Sequence, residues 1–219
     1  MNMDPYDNDG KIRIIAELAN LIINISSIVP NHSDKNPVKL ELSGLMHDIL
    51  YHKELVTIFY PLDDHIEKCI NNSKMNKQAA INFVTHIDRN IRKSFVTFTL
   101  FSLETILKII AKHHGVKIPR NNIICKYKIV MKYFDVYSED NENLVKILHY
   151  TRNTLHNGDR VDLEAHIPYK GKIFHFVPKE KQKKDQKLES TYWFNLTYFF
   201  LQLLDIFSQI TMSKKYSFE

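Results

Sequence analysis

KQAAINFVTHIDRNIRKSFVTFTLFSLETILKIIAKHH runs from Lys77 to His114 with no proline or glycine. Ile81, Val84, Ile87, Ile91, Phe95 and Phe98 recur at helical spacing, and Phe101 to Ile110 carries the apolar face onward. That pattern predicts a helix of roughly 55 Å, about twice the width of a small domain. The rest of the chain must therefore pack along it as along a spine. Gly115 stands where a left-handed residue ends such a helix, with His113 and His114 in the last turn. A single break near Asn90 or Ser94 is the alternative.

Before the spine, Lys11 to Ile28 reads as a helix with Ile12, Ile15, Leu18, Ile22 and Ile25 in phase. Pro30 ends it, and Asn31 to Pro37 is a polar loop. A second helix spans about Val38 to Tyr60, with Leu40, Leu42, Leu45, Ile49 and Leu55 inward and Pro61 closing it. Pro61 to Lys77 gives a short helix and a polar connection. After the spine, Asn121 to Val136 is a shorter amphipathic helix. Ser138 to Asp140 caps the next one, which reaches about His156 with Leu144, Leu148 and Leu155 inward.

The period then changes to two. Val161 to His166 and Lys172 to Val177 read as strands joined by Pro168-Tyr169-Lys170-Gly171. A final helix runs from about Ser190 to Met212. The expected fold class is all-α: a helical bundle with a long spine helix and one small β-hairpin insertion near the C-terminus. Two regions are expected. Residues 1–76 supply N-terminal helices of unassigned role packed on the main body. Residues 77–219 form the main helical domain, with the hairpin at about 161–177.

Apolar content of 44% and charged content of 25% place the chain among ordinary globular proteins. Only 5 glycines and 7 prolines in 219 residues argue against a sandwich, a barrel or a long disordered region. A net charge of +5 permits an anionic partner without demanding one. Cys69 and Cys125 are isolated and read as reduced core thiols. The polar, acidic start from Met1 to Gly10 reads as no signal peptide, so a cytoplasmic protein is expected. Tyr192 to Ile210 is the most apolar run, but Asn195, Gln202 and Asp205 interrupt it. It reads as a core helix rather than a membrane span, so no membrane partner is expected.

Few motifs carry chemistry. No phosphate-binding glycine loop, no serine nucleophile elbow and no His-Glu-x-x-His or cysteine cluster occurs, so no cofactor and no metal site are expected. His47-Asp48 resembles the start of a metal phosphohydrolase pattern, but no further ligands follow at a recognisable spacing. The lysines of the Lys179 to Lys187 loop, notably Lys179, Lys181, Lys183 and Lys184, are candidates for weak phosphate contacts with RNA.

The richest stretch is Arg152-Asn153-Thr154-Leu155-His156-Asn157-Gly158. Arg152 and His156 lie one turn apart at the end of a helix, on the face that also carries His149. Exposed carbonyls at a helix C-terminus favour cations and push an imidazole's pKa up, whereas an adjacent arginine pushes it down. Arg152 can fork onto a phosphate and His156 can move a proton, which suits cleavage of RNA through its own 2′-hydroxyl. On spacing alone, a simple helix end paired with acids also accounts for both residues. Glu104 sits among Leu100, Phe101 and Leu107 and so leans toward the core face of the spine. Buried, it needs a basic or donor partner, and Arg152 or Asn153 is a candidate; at the edge, Lys108 alone would pair with it.

The Arg152 to Gly158 stretch resembles the signature of the HEPN superfamily (higher eukaryotes and prokaryotes nucleotide-binding domains). Ser102-Leu103-Glu104-Thr105-Ile106-Leu107-Lys108 resembles the glutamate-bearing pattern on an early helix of many members, and the hairpin resembles an insertion in some bacterial branches. The resemblance covers roughly Lys77 to Met212. It implies an all-α homodimer that brings two copies of the motif together across a cleft. It also implies a metal-independent ribonuclease with RNA as substrate, serving as a toxin or antiviral defence effector. An antitoxin or defence-system protein is the implied partner. By position, Arg152 and His156 would be the catalytic pair, with Asn153, Glu104 and His149 in support. The common family spacing puts four or more residues between arginine and histidine, where this chain has three. A non-catalytic RNA-, nucleotide- or protein-binding dimer module is the alternative.

Overall fold

The computed structural model describes residues 8–29, 36–119, 122–157, 161, 164–178 and 192–217. Among them, seven helices and one antiparallel hairpin account for the architecture, and 78% of these residues are helical. The fold is thus all-α, with a long spine and a small hairpin near the C-terminus, as the sequence predicts. In order the elements are α1 (Asn8–Ile28), α2 (Pro37–Phe59), α3 (Leu62–Ser73), α4 (Lys77–His113), α5 (Ile123–Tyr133), α6 (Glu139–His156), β1 (Ala165–Tyr169), β2 (Lys172–Phe176) and α7 (Trp193–Met212).

Local chemistry sets the boundaries. The Asn36 side chain accepts the Val38 N–H at 2.9 Å and Pro37 opens α2, where a missing N–H costs nothing. Asn76 caps α4 by accepting from Ala79 N at 2.8 Å, Asn122 caps α5, and Ser138 caps α6 by accepting from Asn141 N at 3.0 Å. Gly115 follows α4 with φ of 65°, a left-handed position that glycine fills without a Cβ clash. Between its ends α4 runs unbroken through Asn90 and Ser94.

α4 carries the packing. α2 and α3 lie against it, α1 packs on α2 and α7, and α5 and α6 pack on α4 further along. A continuous core joins all of them: Leu18, Leu42 and Leu45 from the N-terminal helices meet Phe95, Leu103, Leu148, Phe199 and Phe200. A buried polar hub ties three helices together inside it. The Tyr60 hydroxyl donates to Asp88, Trp193 Nε1 donates to the Tyr60 oxygen at 2.7 Å, and Arg92 pairs with Asp88 at 2.7 Å. Burial, then the Asp88 charge, pushes the Tyr60 hydroxyl well above the usual phenol range, so it stays a neutral phenol that donates to Asp88 and accepts from Trp193.

Some faces depart from the sequence reading. Ile12 is 65% exposed while Ile14 is fully buried, and Leu40 is 69% exposed while Val38 is buried. Phe98 and Phe101 face outward on α4. Cys69 and Cys125 are free thiols, but both are partly exposed rather than in the core. β1 starts later and runs through Pro168 and Tyr169, and the turn proper is Lys170–Gly171. Both turn residues have positive φ (47° and 76°), the type I′ geometry that matches strand twist. α7, the most apolar run by sequence, is a core helix with Leu196, Phe199, Phe200 and Leu203 buried. α4 is long and apolar enough to cross a membrane, and 56% of its most apolar 18 residues is buried inside the protein.

Candidate functional site

α6 buries Leu144, Val145, Ile147, Leu148, Thr151, Thr154 and Leu155, a stripe at helical spacing. That leaves His149, Arg152, Asn153 and His156 along one flank. α4 presents its own polar stripe to this flank: Lys93, Thr97 and Glu104, each about one or two turns from the next. The stripes run antiparallel. His156 meets Thr97 at one end, and at the other His149 feels the charge of Glu104.

His156 Nε2 lies 2.8 Å from Thr97 Oγ1. The Thr97 hydroxyl donates its single proton to the Lys93 carbonyl at 2.7 Å. We therefore assign Nε2–H as the donor to Thr97, which leaves the lone pair of the neutral ring on Nδ1. Burial, then the charges of Lys93 and Arg152, hold the His156 pKa below the ordinary imidazole value. The raising effect expected from a helix C-terminus does not prevail, because two cationic neighbours and partial desolvation oppose it. The ring is exposed enough to reach a ligand and neutral near pH 7.

His149 sits two turns back from His156, with its Nε2 3.3 Å from the Asn153 amide nitrogen. Burial, then Arg152, lowers its pKa, and Glu104 works against both. The Nδ1 of His149 and the Nε of Arg152 are shielded from solvent without a hydrogen-bond partner. Among the described residues no carboxylate pairs with Arg152.

Glu104 is claimed elsewhere. It pairs with Lys126 of α5 and, at 3.2 Å, with Lys108. Burial works to raise its pKa, but the two ammonium groups outweigh burial and hold it below the usual carboxylate value. Lys126 is only 2% exposed. The expected pairing of Glu104 with Arg152 or Asn153 is therefore replaced by an ion pair across α4 and α5. The physical reason is that α5 crosses α4 at this level and brings a buried ammonium to the carboxylate. The exchange leaves Arg152 without a carboxylate partner among the described residues.

Thr97, Lys93 and Lys126 were not among the residues singled out by sequence. The available signal was the polar stripe on α4. Of the other candidates, His47 is exposed. His52 is buried, with Nδ1 2.6 Å from the Asp48 carbonyl and Nε2 2.8 Å from Ser94 Oγ, so the two do not converge. His113 and His114 stack edge to face at the end of α4. Lys179, Lys181, Lys183, Lys184 and Gly158 lie outside the described residues. A cavity of about 590 Å³ opens at the C-terminal ends of α5 and α7, lined by Phe134, Asp135, Gln209 and Lys215 among others, and none of the stripe residues borders it. No protein-family model matches the sequence, and no curated protein or solved structure matches it.

Proposed function

We propose that this protein is a metal-independent endoribonuclease of HEPN type, with Arg152 holding the scissile phosphate and His156 moving the proton. One observation carries the reading: a neutral imidazole anchored to the spine through Thr97 stands beside a guanidinium that, among the described residues, no carboxylate claims. Nδ1 of His156 would take the proton of a ribose 2′-hydroxyl as O2′ attacks the adjacent phosphorus. The P–O5′ bond breaks, and the departing oxygen takes a proton from an imidazolium, leaving a 2′,3′-cyclic phosphate. Arg152 and Lys93 would offset the charge that grows on the phosphoryl oxygens. Asn153 and His149 would support the pair on the same flank, and Glu104, held by Lys126 and Lys108, would act only through its charge at His149. A homodimer would place a second His156 within reach as the acid, and a toxin or defence role fits such an activity.

The test is cleavage of mixed RNA by the full chain in EDTA. Wild type should cut, with 2′,3′-cyclic termini in the product, and Arg152→Ala and His156→Ala should not. Wild-type activity no higher than that of the two variants ends the enzyme reading. A second reading, a non-catalytic RNA- or nucleotide-binding module, is favoured by the engagement of His156 Nε2 with Thr97, which leaves one ring nitrogen for chemistry. It predicts RNA binding that weakens steeply with salt, without strand scission.

A further inference from the structure

The hairpin puts two histidines opposite each other on its outer face. Tyr169 and Lys172 flank the two-residue turn, so they form a hydrogen-bonded pair. Pairs then alternate along the ladder, which makes Pro168 with Ile173 and His166 with His175 non-hydrogen-bonded pairs. Side chains stand closest at such positions. Ile167, Tyr169, Phe174 and Phe176 point inward, and the rings of Phe174 and Phe176 pack on Phe199 and Tyr150. Register is thereby pinned, because a slip of one residue would turn four apolar side chains outward. The imidazoles are held together on the solvent side.

The Nδ1 atoms of His166 and His175 lie 2.8 Å apart. At that distance one ring donates and the other accepts, so a single proton sits between two nitrogens. Glu164 Oε1 lies 3.3 Å from His166 Nε2. A carboxylate there accepts the Nε2–H, which fixes the tautomer of His166 that carries its lone pair on Nδ1. Carboxylate behind imidazole, with the far nitrogen free, is the arrangement that orients a histidine metal ligand.

We propose that His166 and His175 form a binding site for a divalent transition-metal ion that prefers right-angle coordination, the class of Cu²⁺ and Ni²⁺. Two nitrogens bound at about 2.0 Å and at right angles to one metal are about 2.8 Å apart, whereas tetrahedral ligation separates them by about 3.3 Å. The 2.8 Å between the nitrogens is the length of their hydrogen bond and brings both within reach of one ion, and Cu²⁺ is favoured because it heads the divalent affinity order for nitrogen donors. The His166 lone pair and the His175 N–H face each other across the hydrogen bond, and rotation of the exposed rings turns both Nδ1 atoms toward a common point. As the metal enters, His175 gives up its Nδ1 proton to solvent and takes one on Nε2, so both rings ligate as neutral imidazoles through Nδ1. Among the described residues no group of three or more His, Cys, Asp or Glu could hold a metal, so water fills the remaining positions and the site is of modest affinity. It is independent of the Arg152 and His156 chemistry.

The experiment titrates the full, untagged chain with Cu²⁺ alone, by calorimetry and by electron paramagnetic resonance. Wild type should bind one Cu²⁺ per chain at this site with two nitrogens in the hyperfine pattern. His166→Gln and His175→Gln should each weaken that binding by about tenfold or more, and Glu164→Gln should weaken it less. His113→Gln should leave it unchanged. All four positions are outside the core, so circular dichroism should show the same fold throughout. Unaltered Cu²⁺ affinity in both His166→Gln and His175→Gln, or a wild-type spectrum with one nitrogen or none, overturns the proposal.

Discussion

Thr97 and His156 are fifty-nine residues apart in the chain and 2.8 Å apart in space, and their hydrogen bond fixes the last residue of α6 to the middle of α4. The bond sets which nitrogen of the imidazole is free, and it keeps the ring beside Lys93 and Arg152. Thr97→Val removes the anchor while keeping the shape. If the nuclease reading holds, RNA cleavage should fall by up to about tenfold, the worth of one modest hydrogen bond. Comparison of initial rates for wild type and variant checks this, and an unchanged rate would show that the contact does not position the base.

Replacing His156 itself should do far more. A general base is worth about a hundredfold or more in rate, so His156→Ala should reduce EDTA-resistant RNA cleavage by at least that factor. His156 is exposed, so thermal denaturation should place the variant within about 1 kcal/mol of wild type. A large loss of stability instead would make the residue a structural cap.

The pH dependence follows from the electrostatics. Burial, then Lys93 and Arg152, lowers the His156 pKa. The ring thus keeps its basic form as pH falls past the ordinary value of about 6.5, and the acid limb of kcat/KM should lie below that value. Lys93→Met removes one repelling charge and should move the limb upward. A wild-type acid limb above pH 7 would contradict the assignment of His156 as base.

Stability should also depend on pH, through His52. Burial is the main cause lowering its pKa, opposed by the Asp48 carbonyl and carboxylate. The unfolded ring protonates near pH 6.5, while the folded ring resists. The contribution is therefore present above about pH 6.5 and is lost as pH falls toward the folded value. Urea midpoints measured at pH 7.5 and 5.5 should fall with pH in wild type and fall less in His52→Asn.

The Glu104 pairs offer a contrast between buried and exposed partners. Lys126→Met leaves a largely buried carboxylate with only the solvated Lys108 and should destabilise by about 3 kcal/mol. Lys108→Ala removes a solvated partner and should cost under about 1 kcal/mol. Equal losses in chemical denaturation would mean that Lys126 contributes no more than a surface lysine.

Much of the scaffold could be read from local signals, and the parts that could not share a physical cause. α4 lacks internal breakers, so its length was legible, and Leu144, Leu148 and Leu155 face inward on α6 as their spacing requires. α1 was harder because Ile12, Ile14, Ile15, Ile22, Ile23 and Ile25 surround the helix, and two rotational frames fit equally well. Pro168 suggested a turn, yet a non-hydrogen-bonded strand position has no use for its missing N–H. The Arg152 and His156 flank was visible as a motif. Its partners were not, since the links from Thr97 to His156 and from Lys126 to Glu104 depend on how distant helices cross. A lysine at position 126 carries no local mark of burial.

α4 also acts as a phase reference for everything that touches it. Asp88 and Ser94 serve Tyr60 and His52 upstream, while Thr97 and Glu104 serve His156 and Lys126 downstream, all from one unbroken helix. Substitutions leave that phase intact. Insertion of a single residue between Ser94 and Thr97 rotates the downstream half by about 100° relative to the upstream half. It would turn Thr97 from His156 and Glu104 from Lys126 at one stroke, although no contacting side chain had changed. In this chain, reading frame along the spine is a stricter constraint than residue identity, and its tolerated length variation belongs in the loops.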